Sequence, residues 1–297
     1  LLFVVSGMSA RYCLEKYTHK EFIRAKTAKL LIPSTVGLFV FWWILGYFNI
    51  KYSGGLEFMK EVPGPVFYII CSVSGIGPLW YIQLLWLYSV LLIPIRKAEK
   101  DRLYNLCGRV GLPVLLLLFF AVWGAAQILN TPVVEVYRFG IYGLGYCIGY
   151  FCLSHDEVTD RLKSAYLPLS AASVLLCVAF VWVYWGQNYT DKAVLQSPLC
   201  NAYAWISVLA IMGFMKRFAD FETTFSAYWN KKSWGLYLFH YLPLIVCAGY
   251  LYDKPVPNAV RYLLCAVSAY GGAFILYEII RRIPLLRYVV CGIKKKK

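Results

Sequence analysis

Apolar runs close to the length of a bilayer crossing recur along this chain, and few folds other than a membrane bundle accept them. A hydrocarbon core about 30 Å thick takes roughly 20 apolar residues in a helix, at about 1.5 Å per residue. Cut on that length, the sequence gives eight whole runs, at 30–48, 78–95, 110–127, 136–153, 167–186, 201–215, 233–251 and 259–279, with a partial one at 1–12. A further stretch, 66–76, lies between Pro65 and Pro78 and is too short to cross, so it reads as re-entrant or interfacial. The expected fold is all-α, a polytopic transmembrane helix bundle of nine spans, one of them partial. It forms one membrane-embedded domain over 1–297, with no soluble domain.

Composition points the same way. Of 297 residues, 60% are hydrophobic and only 15% charged, with a mean hydropathy of +0.59, so too few polar residues remain to coat a soluble enzyme. The formal charge of +15 would suggest a nucleic-acid partner on a soluble protein. Here the basic residues cluster between apolar runs, so the expected partner is the lipid bilayer and not nucleic acid.

Taken in order, the segments between runs alternate between richer and poorer in Lys and Arg, with 24 on one side and 6 on the other when Arg11, Arg138 and Arg261, at run ends, are counted with the adjoining segments. The positive-inside rule makes the richer side cytoplasmic, and with it the C-terminus at Lys294 to Lys297. The partial first run then enters from outside. A cytoplasmic N-terminus asks for one more helix before Leu1, which makes ten in the complete protein and reads this chain as N-terminally truncated.

Ten cysteines without a CxxC pair read as packed thiols, with neither a disulfide framework nor a metal site expected. No Walker loop, dinucleotide-binding glycine fingerprint, G-x-S-x-G elbow or H-E-x-x-H is present, which removes the cheapest support for ATPase, dehydrogenase, serine hydrolase and zinc protease readings. His155 and Asp160 satisfy H-x4-D, a glycerolipid acyltransferase spacing, but their loop is too short for the soluble domain that motif needs.

Four constellations remain. Ser233, Tyr237, His240 and Tyr241 form a polar stripe on a helix that Pro243 bends. Counted from 233, His240 lies about 10 Å below the cytoplasmic helix end, where an ionisable group marks a site unless it merely bridges two helices. Lys26 and Lys29 share one helical face, with Arg24 beside them, either to hold the phosphates of a cytosolic donor or as topology signal and headgroup contact. Arg138, Tyr142, Tyr146 and Tyr150 recur every four residues around the small pair Gly145 and Gly149, lining a polar passage or simply packing, with Glu135 a partner for Arg138. Trp80, Tyr81 and Gln83 open a run on the external side, as interface aromatics or as acceptor contacts.

Three segments in order, Leu2 to Gly7 (LFVVSG) with Phe22 to Pro33 (FIRAKTAKLLIP), then Gly77 to Tyr81 (GPLWY), then Gly235 to His240 (GLYLFH), resemble the acyltransferase 3 family of integral membrane proteins. Those proteins carry an FFVLSG run, a basic R-x-x-R-L-L-I-P element, an LWF start and an I-Y-L-x-H helix. The resemblance spans the whole chain. It implies a ten-helix membrane enzyme that moves an acyl group, commonly acetyl from acetyl-CoA, onto a hydroxyl of a carbohydrate or other cell-envelope acceptor.

On that resemblance, acyl-CoA is a donor substrate and no cofactor is tightly bound. Arg24, Lys26 and Lys29 lie on the donor side, Trp80, Tyr81, Arg138 and Tyr142 bind the acceptor, and His240 and Tyr237 support catalysis from the late helix. Lysine replaces arginine at both positions of the basic pair, which keeps charge and loses bidentate phosphate geometry. The family's principal histidine, eleven residues after an arginine in its first helix, falls before Leu1. The resemblance also implies a bacterial plasma membrane. A carrier or flippase of lipid-linked sugars, or an inactive relative, is the alternative from the same residues.

Overall fold

The computed structural model describes residues 1–132 and 136–294. Helices dominate, and the strands described are the three-residue pair Asn130–Pro132 and Val136–Arg138, antiparallel with Asn130 opposite Arg138. Five helices are long and apolar enough to cross a bilayer: His19–Tyr52, Leu79–Glu99, Tyr166–Tyr184, Pro198–Phe218 and Asn258–Ile280. A sixth arises if Thr224–Phe239 and Tyr241–Leu251, bent by 52° at their junction, count as one span. The structure thus supports a helical membrane bundle, with five or six spans by this measure and not nine.

The shortfall has local causes. The run 110–127 yields the 14-residue helix Leu112–Ala125, about 21 Å long at about 1.5 Å per residue, because the chain is still extended at Gly111. The run 136–153 loses its first residues to the strand Val136–Arg138 and leaves the 13-residue helix Phe139–Phe151. The run 1–12 becomes the 15-residue helix Leu2–Lys16. The segment between Pro65 and Pro78 forms the 11-residue helix Gly64–Ser74.

The run 30–48 sits inside a 34-residue helix that already starts at His19. Pro33 lies within it and offers no N–H to the carbonyl of Lys29 four residues earlier. The helix absorbs this by opening into π turns at Thr27–Leu31 and again at Leu38–Trp42. The hydroxyls of Ser34 and Thr35 donate back to the carbonyls of Leu30 and Leu31, each at 2.7 Å, which loosens the same stretch further.

The described chain divides into two compact units, one built from Leu1–Phe22 and Tyr88–Phe221, the other from Ile23–Leu87 and Glu222–Lys297. In the first, helices Leu2–Lys16 and Phe139–Phe151 touch backbone to backbone. A Cβ on Gly7 would overlap the carbonyl oxygen of Tyr146, and one on Gly149 that of Val4, so glycine is required at both. Trp205 Nε1 donates to the Leu115 carbonyl at 2.9 Å and ties Pro198–Phe218 to Leu112–Ala125. The helix Tyr166–Tyr184 leaves most of its apolar side chains exposed, Trp182 at 85%, as a lipid-facing helix does.

In the second unit, Asn49 Nδ2 donates to the Ser74 carbonyl at 2.8 Å and ties the long helix to Gly64–Ser74. Lys232 is buried beside Glu278, which also accepts from Arg281 Nε at 2.7 Å. The rings of Tyr228, Phe274 and Tyr277 stand 5.5, 5.5 and 5.8 Å from the Lys232 ammonium. The carboxylate and the aromatic faces offset part of the cost of burying a lysine side chain.

Candidate functional site

The second unit gathers the basic element, the aromatic start at residue 80 and the late histidine. Its organising helix begins at Thr224, where Thr223 and Ser226 form a reciprocal capping box. That start lies nine residues before the expected one, because the capped polar turns 224–232 continue the apolar run without a break. His240 therefore sits at the far end of the helix, about 24 Å from its start at about 1.5 Å per residue, and not about 10 Å from it.

Pro243 explains why the helix breaks there. Its ring nitrogen has no proton for the Phe239 carbonyl and its ring crowds that oxygen, so the axis turns by 52° at His240. His240 Nδ1 lies 2.7 Å from the backbone carbonyl of Tyr237. A carbonyl only accepts, so Nδ1 carries a proton, and whenever the ring is neutral Nε2 holds the lone pair. The backbone, and not a tyrosine hydroxyl, thus fixes the tautomer that a base requires.

Tyr237 uses its hydroxyl elsewhere, donating to the Pro78 carbonyl. Its ring meets that of Tyr81 at 5.7 Å, edge to face, and Trp80 adjoins Tyr81 at 6.2 Å. One side chain thereby joins the late helix to the turn at Gly77 and Pro78 and to the aromatic start of Leu79–Glu99.

On the opposite side Tyr237 stacks on Trp234, centroids 6.0 Å apart at 26°. The Lys29 ammonium stands 5.1 Å from the centre of the Trp234 ring. Trp234, Tyr237 and His240 fall three residues apart on one helical face, so a line runs from Lys29 across two rings to the imidazole. From Trp234 to His240 it covers about 9 Å along the axis, at about 1.5 Å per residue.

The basic element is latched from the side of Leu79–Glu99. Trp86 Nε1 donates to Thr27 Oγ1 at 3.0 Å, and Gln83 Nε2 to the Ser34 carbonyl at 2.9 Å. Both bonds bracket the π turn that carries Lys29. Arg24 and Lys29 are exposed and Lys26 is half-buried, so all three cations remain reachable by a solvent-borne anion. Among the described residues no group of three or more His, Cys, Asp or Glu is placed to hold a metal ion.

Arg138 and Tyr142 belong to the first unit. They line a cavity of about 190 Å³ with Phe3, Val122 and Trp205. Arg138 Nη2 donates to the Leu195 carbonyl at 2.8 Å and to Asn201 Oδ1 at 3.2 Å, while Tyr142 stacks on Phe3 at 4.7 Å. Glu135, expected beside Arg138, lies outside the described residues. Further along the tyrosine row, Tyr146 meets Ser89 at 3.1 Å and Tyr150 lies 3.5 Å from Arg11 Nη1. His155 stacks on Tyr104 at 3.9 Å and donates from Nε2 to its carbonyl at 2.9 Å.

Sequence reasoning passed over Trp234, Thr27 and Trp86. Trp234 carried a usable signal, since it stands one helical turn before Tyr237 on the stripe already recognised. Thr27 and Trp86 carried none, because each acquires its role only from the other.

The profile of a family described as an acyltransferase domain matches residues 1–278. Glucans biosynthesis protein C of Shigella dysenteriae serotype 1 is 21% identical over 98% of this chain and 80% of its own length. The protein of the same name from Escherichia coli O81 is 22% identical over the same shares. No solved structure matches.

Proposed function

This chain belongs to the acyltransferase 3 family, and from that premise we propose that it moves an acyl group, acetyl in the first instance, from acyl-CoA to a hydroxyl of a cell-envelope carbohydrate. That it is a membrane acyltransferase follows from the family and the apolar helices together. The observation that carries the finer reading is the line from Lys29 over Trp234 and Tyr237 to His240. It offers a cation for donor phosphates at one end and a base of fixed tautomer at the other. The relatives' name refers to glucans, which supports a glucan as the acceptor.

The chemistry requires few parts. The acceptor hydroxyl gives its proton to a histidine, with His240 Nε2 receiving it directly or passing it on, as the oxygen attacks the thioester carbonyl. The tetrahedral intermediate collapses with cleavage of the C–S bond, and the coenzyme thiolate takes the proton back. Ester and free thiol are the products. Trp80 and Tyr81, held by Tyr237, supply flat apolar faces for a sugar ring, and Arg24, Lys26 and Lys29 neutralise the donor phosphates. The site acts in a bacterial plasma membrane with the basic element on the cytoplasmic side, where the coenzyme is.

The test uses acetyl-CoA labelled in the acyl group, the full-length protein in proteoliposomes and a glucan acceptor. Covalent label on the glycan, lost in His240→Ala, is the expected result. Glycan movement across the bilayer without label would establish a carrier instead. Unchanged transfer and unchanged donor binding in His240→Ala would remove His240 from the site.

A further inference from the structure

The match to the acyltransferase domain stops at residue 278, yet the chain beyond it folds back onto the basic element. Helix Pro284–Cys291 buries Val289, Val290 and Cys291. Its backbone lies directly against the long helix, since a Cβ on Gly37 would stand 2.7 Å from the Val289 carbonyl oxygen. Gly292 ends it with φ +66, and a Cβ there would lie 2.6 Å from Lys29 Cα, so both the conformation and the contact need glycine. Trp234 Nε1 donates to the Cys291 carbonyl at 2.9 Å, with Lys29 over the same indole.

Arg287 lies one turn before Cys291 and three residues before Val290, and it is half-buried. Its Nε is buried and has no hydrogen-bond partner among the described residues. A guanidinium is always charged, and a buried N–H on it without an acceptor is costly, so the position calls for an anion. Neither segment that meets here supplies one, as residues 22–56 and 279–297 contain no Asp or Glu. Glu278, just before the second segment, is committed to Lys232 and Arg281.

We propose that Arg287, carried by a helix outside the family domain, is a second phosphate-binding residue of the donor site and holds the nucleotide phosphates of acyl-CoA together with Lys29. This rests on the donor reading given above. An arginine here returns part of the forked phosphate recognition that the two lysines of the basic element lack.

Equilibrium binding of coenzyme A and of pantetheine, which has no phosphate, to the full chain in detergent tests the assignment. Arg287→Gln is expected to weaken coenzyme A binding about tenfold and leave pantetheine unchanged, with Arg287→Lys intermediate. Should the Gln variant not fold, the Lys variant carries the test, because it keeps charge and loses the Nε donor. Equal losses for both ligands would reduce Arg287 to a structural role. If Lys29→Gln weakens coenzyme A and Arg287→Gln does not, the inference falls and the proposed function stands. Absence of any coenzyme A binding by the unaltered protein removes the donor reading itself. If Arg287→Gln leaves coenzyme A binding intact and instead abolishes thermal stabilisation by phosphatidylglycerol in mixed micelles, the anion is a lipid headgroup and the assignment fails.

Discussion

Tyr237→Phe removes one oxygen and keeps the ring between Trp234 and Tyr81. The lost hydroxyl leaves the Pro78 carbonyl without its donor in a half-buried site. A buried acceptor left unsatisfied costs about 1–3 kcal/mol, and the centre of that range corresponds to a factor near thirty in the equilibrium between tied and untied turn, at about 1.4 kcal/mol per tenfold. Thermal unfolding in detergent should fall by several degrees, at about 2–4 °C per kcal/mol for a chain of this order.

The kinetic consequence is asymmetric. The Pro78 turn leads into Trp80 and Tyr81, whereas Lys29 contacts Trp234 and not Tyr237. The acceptor KM should therefore rise about tenfold while the donor Kd, read by coenzyme A titration, stays within about a factor of two. Equal changes for donor and acceptor would show that the hydroxyl supports the whole site. An unchanged acceptor KM despite the expected loss of stability would show that the turn does not shape the acceptor subsite. Either result refutes the reasoning.

Glu278→Gln strands the buried Lys232 charge and should cost about 3–5 kcal/mol, with Lys232→Met in the same chain recovering most of it, as thermal unfolding of the single and double variants will tell. Gly149→Val drives a side chain into the Val4 carbonyl and should destabilise by about 1–3 kcal/mol or more; a melting temperature equal to that of the unaltered protein would contradict the close approach. Burial pushes the Cys291 thiol up from its ordinary value to about 12. The folded state then holds a proton that the unfolded chain releases from about pH 9, so this contribution to stability is complete below about pH 9 and is lost as the pH climbs towards 12. Maleimide labelling of Cys291 at pH 8 should accordingly wait for denaturant.

Helices were legible where an apolar run met no competing local signal. The expected runs 167–186, 201–215 and 259–279 correspond within a few residues to Tyr166–Tyr184, Pro198–Phe218 and Asn258–Ile280. Where a cap, a proline or a turn intervened, hydropathy alone misplaced the element. The run 30–48 shows no break with the polar stretch before it, and residues from His19 onward wind into the same helix. The run starting at 136 hid a strand whose partner is Asn130–Pro132.

The site was readable as far as residue types and one helical face carry. Tyr237 and His240 stood out by spacing, and Lys29 by charge. That Trp234 joins them, or that helix Pro284–Cys291 meets Trp234 through the Cys291 carbonyl, depends on contacts between segments far apart in sequence. The tautomer of His240 depends on a bend and was equally out of reach.

The π turns at Thr27–Leu31 and Leu38–Trp42 have a rotational meaning. Each accommodates an extra residue per turn, and one residue is worth about 100° around an ordinary helix of 3.6 residues per turn. The half of the long helix that follows is thereby turned relative to the half that bears the cations. Deleting Ala28 alone would keep Arg24, Lys26 and Lys29 in the chain, yet swing Trp42 and Leu45, both fully buried, off the protein side. The angular bearing of Lys29 with respect to the rest of its own helix is thus encoded by residue count as much as by residue type.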